Sequence, residues 1–176
     1  MINKTKVAII AGSDTDLPVI AETIKLLENF GVKYCVSVAS AHRTPAMVEK
    51  YVAQAEKNGA QVFIAAAGMA AALPGVVASK TLLPVIGIPI ESKTLGGLDA
   101  LFSIVQMPPG IPVATVAIGK AGAKNAALLA VQMLSLKDVA LNKKMAVYRK
   151  KNGDTIIEKD KRLQRLGIHK YMEINK

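Results

Sequence analysis

Val7-Ala8-Ile9-Ile10, broken off by Gly12 and followed by Ser13-Asp14-Thr15-Asp16, decides how the rest of this chain is read. A short run that is apolar on both sides of the pleat reads as a strand covered on both faces, the mark of a parallel sheet. Beyond the polar loop, apolar residues recur at Leu17, Ile20, Ile24 and Leu27, and Gly31 closes the pattern. That is helical spacing with a glycine stop, so the stretch is a strand, a loop and a helix in succession.

Four more units of this kind follow. Tyr34 to Val38 is a second strand; Ser40-Ala41-His42-Arg43-Thr44-Pro45 comes next, and Met47, Val48, Tyr51, Val52 and Ala55 line one face of a helix that ends before Gly59. Val62 to Ala66 is a third strand, running into the small residues Ala67-Gly68-Met69-Ala70-Ala71-Ala72-Leu73-Pro74-Gly75 and a helical segment from Val76 to Leu82. Val85 to Ile90 is a fourth, followed by a loop and helix between Leu95 and Val105 and a proline-fixed loop, Gln106 to Pro112. Val113 to Ile118 is the fifth; Gly119-Lys120-Ala121-Gly122 then leads to an alanine-rich helix from about Ala123 to Leu134. Five apolar strands alternating with helices imply right-handed crossovers and a doubly wound α/β sheet with helices on both faces, three layers in all. Ligands of such folds sit at the carboxyl ends of the strands, so the loops Gly12–Asp16, Ser40–Pro45 and Ala67–Gly75 belong to one edge.

The totals bound the rest. With 176 residues, 51% of them hydrophobic, the expected organisation is one domain, 1–135, and a basic helical tail, 136–176, with Asn152-Gly153 as a break. The formal charge is +10, of which +7 falls in the last 41 residues. There is no tryptophan, so the tail has no basic-aromatic platform on which bases would stack, and a specific nucleic-acid partner is not expected. A tail that packs on a neighbouring subunit is the preferred reading. No run approaches the roughly 18 uninterrupted apolar residues of a membrane span. Met1 to Lys6 leads straight into a strand without a signal sequence, and the single cysteine, Cys35, reads as a buried, inert thiol; the expected location is cytoplasmic.

The Ser40–Pro45 stretch carries the chemistry. Histidine exchanges protons near neutral pH, arginine holds a phosphate or carboxylate in a fork, and a helix N-terminus offers free N–H groups to an anion. The plain alternative is a strand-to-helix turn in which Thr44 caps, Pro45 takes the first helical position, and His42 and Arg43 are solvated. On this stretch alone the two readings stand level. Elsewhere, two distant histidines and one cysteine form no metal-ligand cluster. The phosphate loop Gly-x-x-x-x-Gly-Lys-Ser/Thr, the dinucleotide fingerprint and the esterase Gly-x-Ser-x-Gly are all missing. A phosphate-bearing small molecule handled by a histidine acid/base remains.

Gly12–Asp16, Ser40–Pro45, Ala67–Gly75, Gln106–Pro112 and Ala117–Ala127, in this order and spacing, resemble the N5-carboxyaminoimidazole ribonucleotide mutases of purine biosynthesis, class I type. The resemblance implies a flavodoxin-like sheet, a homo-octamer with active sites at subunit contacts, and no cofactor or metal. It implies a substrate, an imidazole ribonucleotide with a carbamate on its exocyclic nitrogen, whose carboxylate moves to the ring C4 carbon. Ser13, Ser40 and Arg43 match the phosphate site and Asp16 the ribose contact. His42 matches the acid/base, and Ala41, Gly68 and Leu73 match the wall of the carboxylate pocket. Functional coupling to the ATP-dependent synthetase that makes the substrate is implied as well. Ala72 stands where many of these mutases have histidine, and Thr15 where serine is common.

The chemistry agrees with these roles. A carbamate loses carbon dioxide once its nitrogen is protonated, and an imidazole, with an ordinary pKa near ~6.5, can supply that proton and later remove one from the ring carbon. Between the two steps, a closed pocket of small residues keeps carbon dioxide beside its acceptor. His169, in the tail, reads as a surface residue. Direct carboxylation of aminoimidazole ribonucleotide by free carbon dioxide is the nearest rival. A non-catalytic nucleotide-binding scaffold is the alternative of another class, and a basic-tail nucleic-acid binder comes third.

Overall fold

Five strands, β1 (Val7–Ala11), β2 (Tyr34–Val38), β3 (Val62–Gly68), β4 (Val85–Ile90) and β5 (Ala114–Thr115), form one sheet in the order β2-β1-β3-β4-β5, every neighbouring pair parallel. The coordinates are a computed structural model that describes residues 5–174. Between and after the strands lie α1 (Leu17–Phe30), α2 (Pro45–Lys57), α3 (Leu73–Ala78), α4 (Leu98–Val105) and α5 (Gly119–Ser135). This is the flavodoxin-like, doubly wound order expected. The chain leaves β1 for β2 at one edge and returns across β1 to start β3, so the sheet has its switch point between β1 and β3.

Alternation along the strands builds two cores. Ala8, Ile10, Phe63 and Ala65 pack with Val48 and Val52 of α2, Leu73 and Val77 of α3, and Ala100 and Ile104 of α4. Ile9, Ile64, Ile86 and Ile88 alternate to the other face and are fully buried too. On that face α1 and α5 are tied together by Thr23, whose buried Oγ1 donates to the carbonyl of Ala123 at 2.8 Å, and by a Glu22–Lys124 ion pair at 3.4 Å. Both faces covered is why these strands read as unbroken apolar runs.

Several boundaries differ from the sequence reading. The fifth strand is two residues long, since only Ile86↔Ala114 and Gly87↔Thr115 pair in register, and one further bond from Val116 N–H to Gly87 O completes it. The chain then turns at Gly119, at φ 68°, so α5 starts four residues before Ala123. α3 starts at Leu73, with Pro74 in its first turn, and Leu82 is fully exposed beyond its end. Met47 is exposed and does not join the apolar face of α2. Cys35 is half-buried, its Sγ 3.3 Å from the Tyr51 hydroxyl.

The chain divides into two compact units at Leu134/Ser135. The second unit consists of α6 (Val139–Leu166) and α7 (Ile168–Ile174). Asp138 caps α6, accepting from Leu141 N–H at 3.0 Å. Asn152-Gly153 does not break α6: a glycine inside a helix costs about 1 kcal/mol, which a 28-residue helix absorbs, and Lys150 pairs across the site with Asp154 at 2.7 Å. The break comes at Gly167, at φ 71°. Residues 1–4, part of the expected lead-in to the first strand, lie outside the described residues.

Candidate active site

The loops at the carboxyl ends of β1, β2, β3 and β4 surround one cleft of about 950 Å³ over the switch point. The first loop is a 3-10 turn, Asp14–Asp16, with reciprocal caps: Ser13 Oγ accepts from Thr15 N–H at 3.3 Å, and Asp16 Oδ2 accepts from Ser13 N–H at 3.0 Å. Asp16 is the one buried carboxylate on this rim, and burial raises its pKa above the ordinary value against the lowering effect of the backbone donors at Ser13 and Gly12.

The second loop is closed by its own hydroxyls. Thr44 Oγ1 accepts from Ser40 N–H at 2.9 Å and donates to Ser40 O at 3.2 Å, while Ser40 Oγ accepts from Arg43 N–H at 3.2 Å. Thr44 holds the N-cap position of α2 without a side-chain cap bond, because its hydroxyl is spent on the turn, and Pro45 takes the first helical turn as expected. The result is a tight turn that presents Ala41, His42 and Arg43 at its apex, with the last two exposed to the cleft.

In the third loop the backbone itself is the wall. Met69 stands at φ 57°, the one non-glycine residue with positive φ among the described residues, and turns the chain so that Ala71 N–H donates to Met69 O at 2.9 Å and Ala72 N–H to Ala70 O at 2.7 Å. Non-glycine residues in this conformation cluster at functional sites. Gly68 lies against Ile90: a Cβ there would meet Ile90 at 3.5 Å.

All eight residues singled out from the sequence, Ser13, Asp16, Ser40, Ala41, His42, Arg43, Gly68 and Leu73, line this cleft, and His42 is its only imidazole. The Gln106–Pro112 and Gly119–Gly122 loops, part of the sequence resemblance, are not among its lining residues. Sequence reasoning missed the fourth wall, Ile90 to Leu95 with Asp99. The signal was present: this polar segment follows an apolar strand on the same sheet edge as the other three loops. Ser92 Oγ donates to Asp99 Oδ1 and Oδ2 at 3.3 and 3.2 Å and anchors the segment to the first turn of α4.

Comparison with known proteins shows the family. Residues 6–155 match the family described as AIR carboxylase. The chain belongs to that family. Within it, the chain is 55% identical to the N5-carboxyaminoimidazole ribonucleotide mutase of Pyrococcus abyssi, over 98% of each chain. It is 46% identical to the phosphoribosylaminoimidazole carboxylase of Candida glabrata, covering 98% of this chain and 30% of that one. Among solved structures, Treponema denticola PurE superimposes with a TM-score of 0.83 at 32% identity, over 91% of this chain and 99% of that one.

Proposed function

We infer that this family member is an isomerase of purine biosynthesis that converts N5-carboxyaminoimidazole ribonucleotide to its C4-carboxylated isomer. The observation that carries the reading is the convergence of eight residues from three separate loops on one cleft with a single histidine. Ser13, Ser40 and Arg43 hold the phosphate beside the N-terminus of α2, and Asp16 accepts from the ribose. His42, protonated, gives its proton to the exocyclic nitrogen; the nitrogen–carboxylate bond breaks, its electron pair staying on nitrogen, and carbon dioxide is released into the pocket. The ring carbon then attacks with the enamine electron pair, and neutral His42 takes the proton from the tetrahedral carbon and restores the aromatic ring. Ala41, Gly68 and Leu73 keep carbon dioxide within reach throughout, which replaces a bimolecular encounter by a local one.

A homo-octamer belongs to this reading through the family resemblance. Its support in this chain is the apolar row Leu98, Phe102 and Val105, spaced on one side of α4 and exposed, together with Val36 and Val38 on the edge strand β2. The unit 136–176 acts as a packing element on a neighbouring subunit, supported by Val147, Ile156 and Ile157 exposed along α6 and Ile168 and Met172 along α7. Its basic charge serves solubility rather than specific nucleic-acid binding. No described helix is long and apolar enough to cross a membrane. A cytoplasmic location, and functional coupling to the ATP-dependent synthetase that makes the unstable carbamate, complete the proposal.

The test is conversion of freshly prepared N5-carboxyaminoimidazole ribonucleotide, without ATP, metal or bicarbonate, by wild type and His42→Asn. Turnover that is lost by about 10² or more in the variant supports the assignment. Folded wild type that is inert toward this substrate refutes it. A second reading, direct carboxylation, draws on the fungal relative's name; turnover of aminoimidazole ribonucleotide with bicarbonate, but not of the carbamate, would decide for it.

A further inference from the structure

We propose that Lys93, on the loop between β4 and α4, binds the migrating carboxylate and so makes the fourth wall a working part of the site. The proposal rests on the mutase reading, whose substrate carries two anionic groups separated by ribose and imidazole. The cleft has two permanent cations among its lining side chains, Arg43 and Lys93, and neither has an ion-pair partner among the described residues. Of the three carboxylates in the lining, Asp16 is bonded to Ser13 N–H and Asp99 to Ser92 Oγ, while Glu91 is exposed and forms no ion pair with Lys93.

Placement assigns one cation to each end. Arg43 follows β2 and Lys93 follows β4, three strand positions away in the order β2-β1-β3-β4. At the usual strand spacing their backbones stand about 14 Å apart. A ribonucleotide lying across the switch point, with its phosphate at Arg43 and the α2 N-terminus, therefore directs its imidazole toward β3 and β4. There Gly68 pairs in register with Ile90, so the small-residue wall runs directly into the segment that bears Lys93. The wall itself brings no charged side chain, since Ala70, Ala71 and Ala72 contribute only methyl groups.

The loop is built to hold such a residue. Besides the Ser92–Asp99 bonds, Leu95 N–H donates to Ser92 Oγ at 3.4 Å and Gly96 N–H to Ser92 O at 2.9 Å. Gly96 and Gly97, at φ 60° and 88°, bend the chain back into α4. Lys93 thus extends from a neighbour fixed on both sides, while its own side chain is exposed at the lining of the cleft.

The experiment measures calorimetric affinities of two ribonucleotides, the C4-carboxylated product and the uncarboxylated aminoimidazole ribonucleotide, for wild type, Lys93→Met and Lys93→Arg. Loss of one charge-assisted contact predicts about tenfold or greater weakening of the carboxylated ligand by Lys93→Met, no more than about twofold change for the uncarboxylated one, and recovery in Lys93→Arg. Equal weakening of both ligands would place Lys93 at the phosphate or in the general field of the cleft and overturn the proposal. Unchanged affinities in a wild type that binds both would overturn it and leave the mutase reading standing. Wild type that binds neither would overturn both.

Discussion

Gly87→Ala tests whether the packing that carries α4 and the fourth wall is as tight as the structure shows. Gly87 is buried in β4, and a Cβ built there would overlap Ile104 Cγ2 and lie 3.0 Å from Val113 Cγ1 and 3.3 Å from Pro74 Cβ. In its favour the added methyl gains about 0.8 kcal/mol of burial and about 0.5–1 kcal/mol from removing a flexible glycine. Against it stands overpacking, about 1–3 kcal/mol and occasionally more. The upper part of that range applies here, because Ile104 is β-branched, stiff at its first torsion and 1% exposed, and the other two neighbours lie on separate segments that cannot yield together. The net is a destabilisation of about 1–2 kcal/mol, which for a chain of this length lowers the thermal midpoint by about 2–8 °C. Thermal and urea unfolding followed by circular dichroism measure it, in a cycle with Ile104→Ala. Ile104→Ala alone costs about 2–5 kcal/mol, and the Gly87→Ala methyl fills part of that cavity, so the double variant falls short of the sum by about 1 kcal/mol or more. A Gly87→Ala protein as stable as wild type, or a cycle additive within about 0.5 kcal/mol, would refute the reasoning.

Tyr51→Phe removes a hydroxyl that donates to Ile9 O at 2.7 Å and lies 3.2 Å from Cys35 O, tying α2 to β1 and β2. Urea unfolding at pH 7 is expected to show a cost of about 1 kcal/mol. Burial raises the Tyr51 pKa well above the ordinary phenol value, so the native state keeps a proton that the unfolded chain gives up near pH ~10. The advantage of wild type over the variant therefore shrinks as pH rises beyond that value; an advantage that grows instead would contradict the burial. Asp16→Asn acts on stability and function in opposite directions. The raised Asp16 pKa means that its ionisation weakens the native state: the contribution is present below the unfolded pKa of ~3.8 and is lost as pH rises through the folded value. Between pH 4 and 7 the urea midpoint should move in favour of Asp16→Asn, while the KM for the ribonucleotide rises; a variant that loses stability over that interval would contradict the sign.

Legibility was uneven, for physical reasons that particular residues show. Val7–Ile10 and Val85–Ile90 were plain as strands because parallel strands covered on both faces need apolar residues at every position. Gly31 marked the end of α1 because the chain there adopts φ 72°, which favours glycine. Asn152-Gly153 misled because a local propensity of about 1 kcal/mol is small beside a long continuous helix. Val113–Ile118 looked like a full strand, yet its pairing is limited by where β4 and Gly119 let the chain run, which no local pattern encodes. The Ser92–Asp99 anchor was invisible for another reason: a polar loop declares its partners only when the helix after it is in place.

By itself, the sequence determined the element order, the parallel character of the sheet, and the residue types that meet at its carboxyl edge. Apolar runs, glycine stops and the histidine-arginine turn are local and need no partner to be read. Which loops face one another was a tertiary decision. The order β2-β1-β3-β4-β5 sets His42 and Arg43 at one end of the cleft and Lys93 at the other, a juxtaposition that arises only when strands far apart in the chain become neighbours in the sheet.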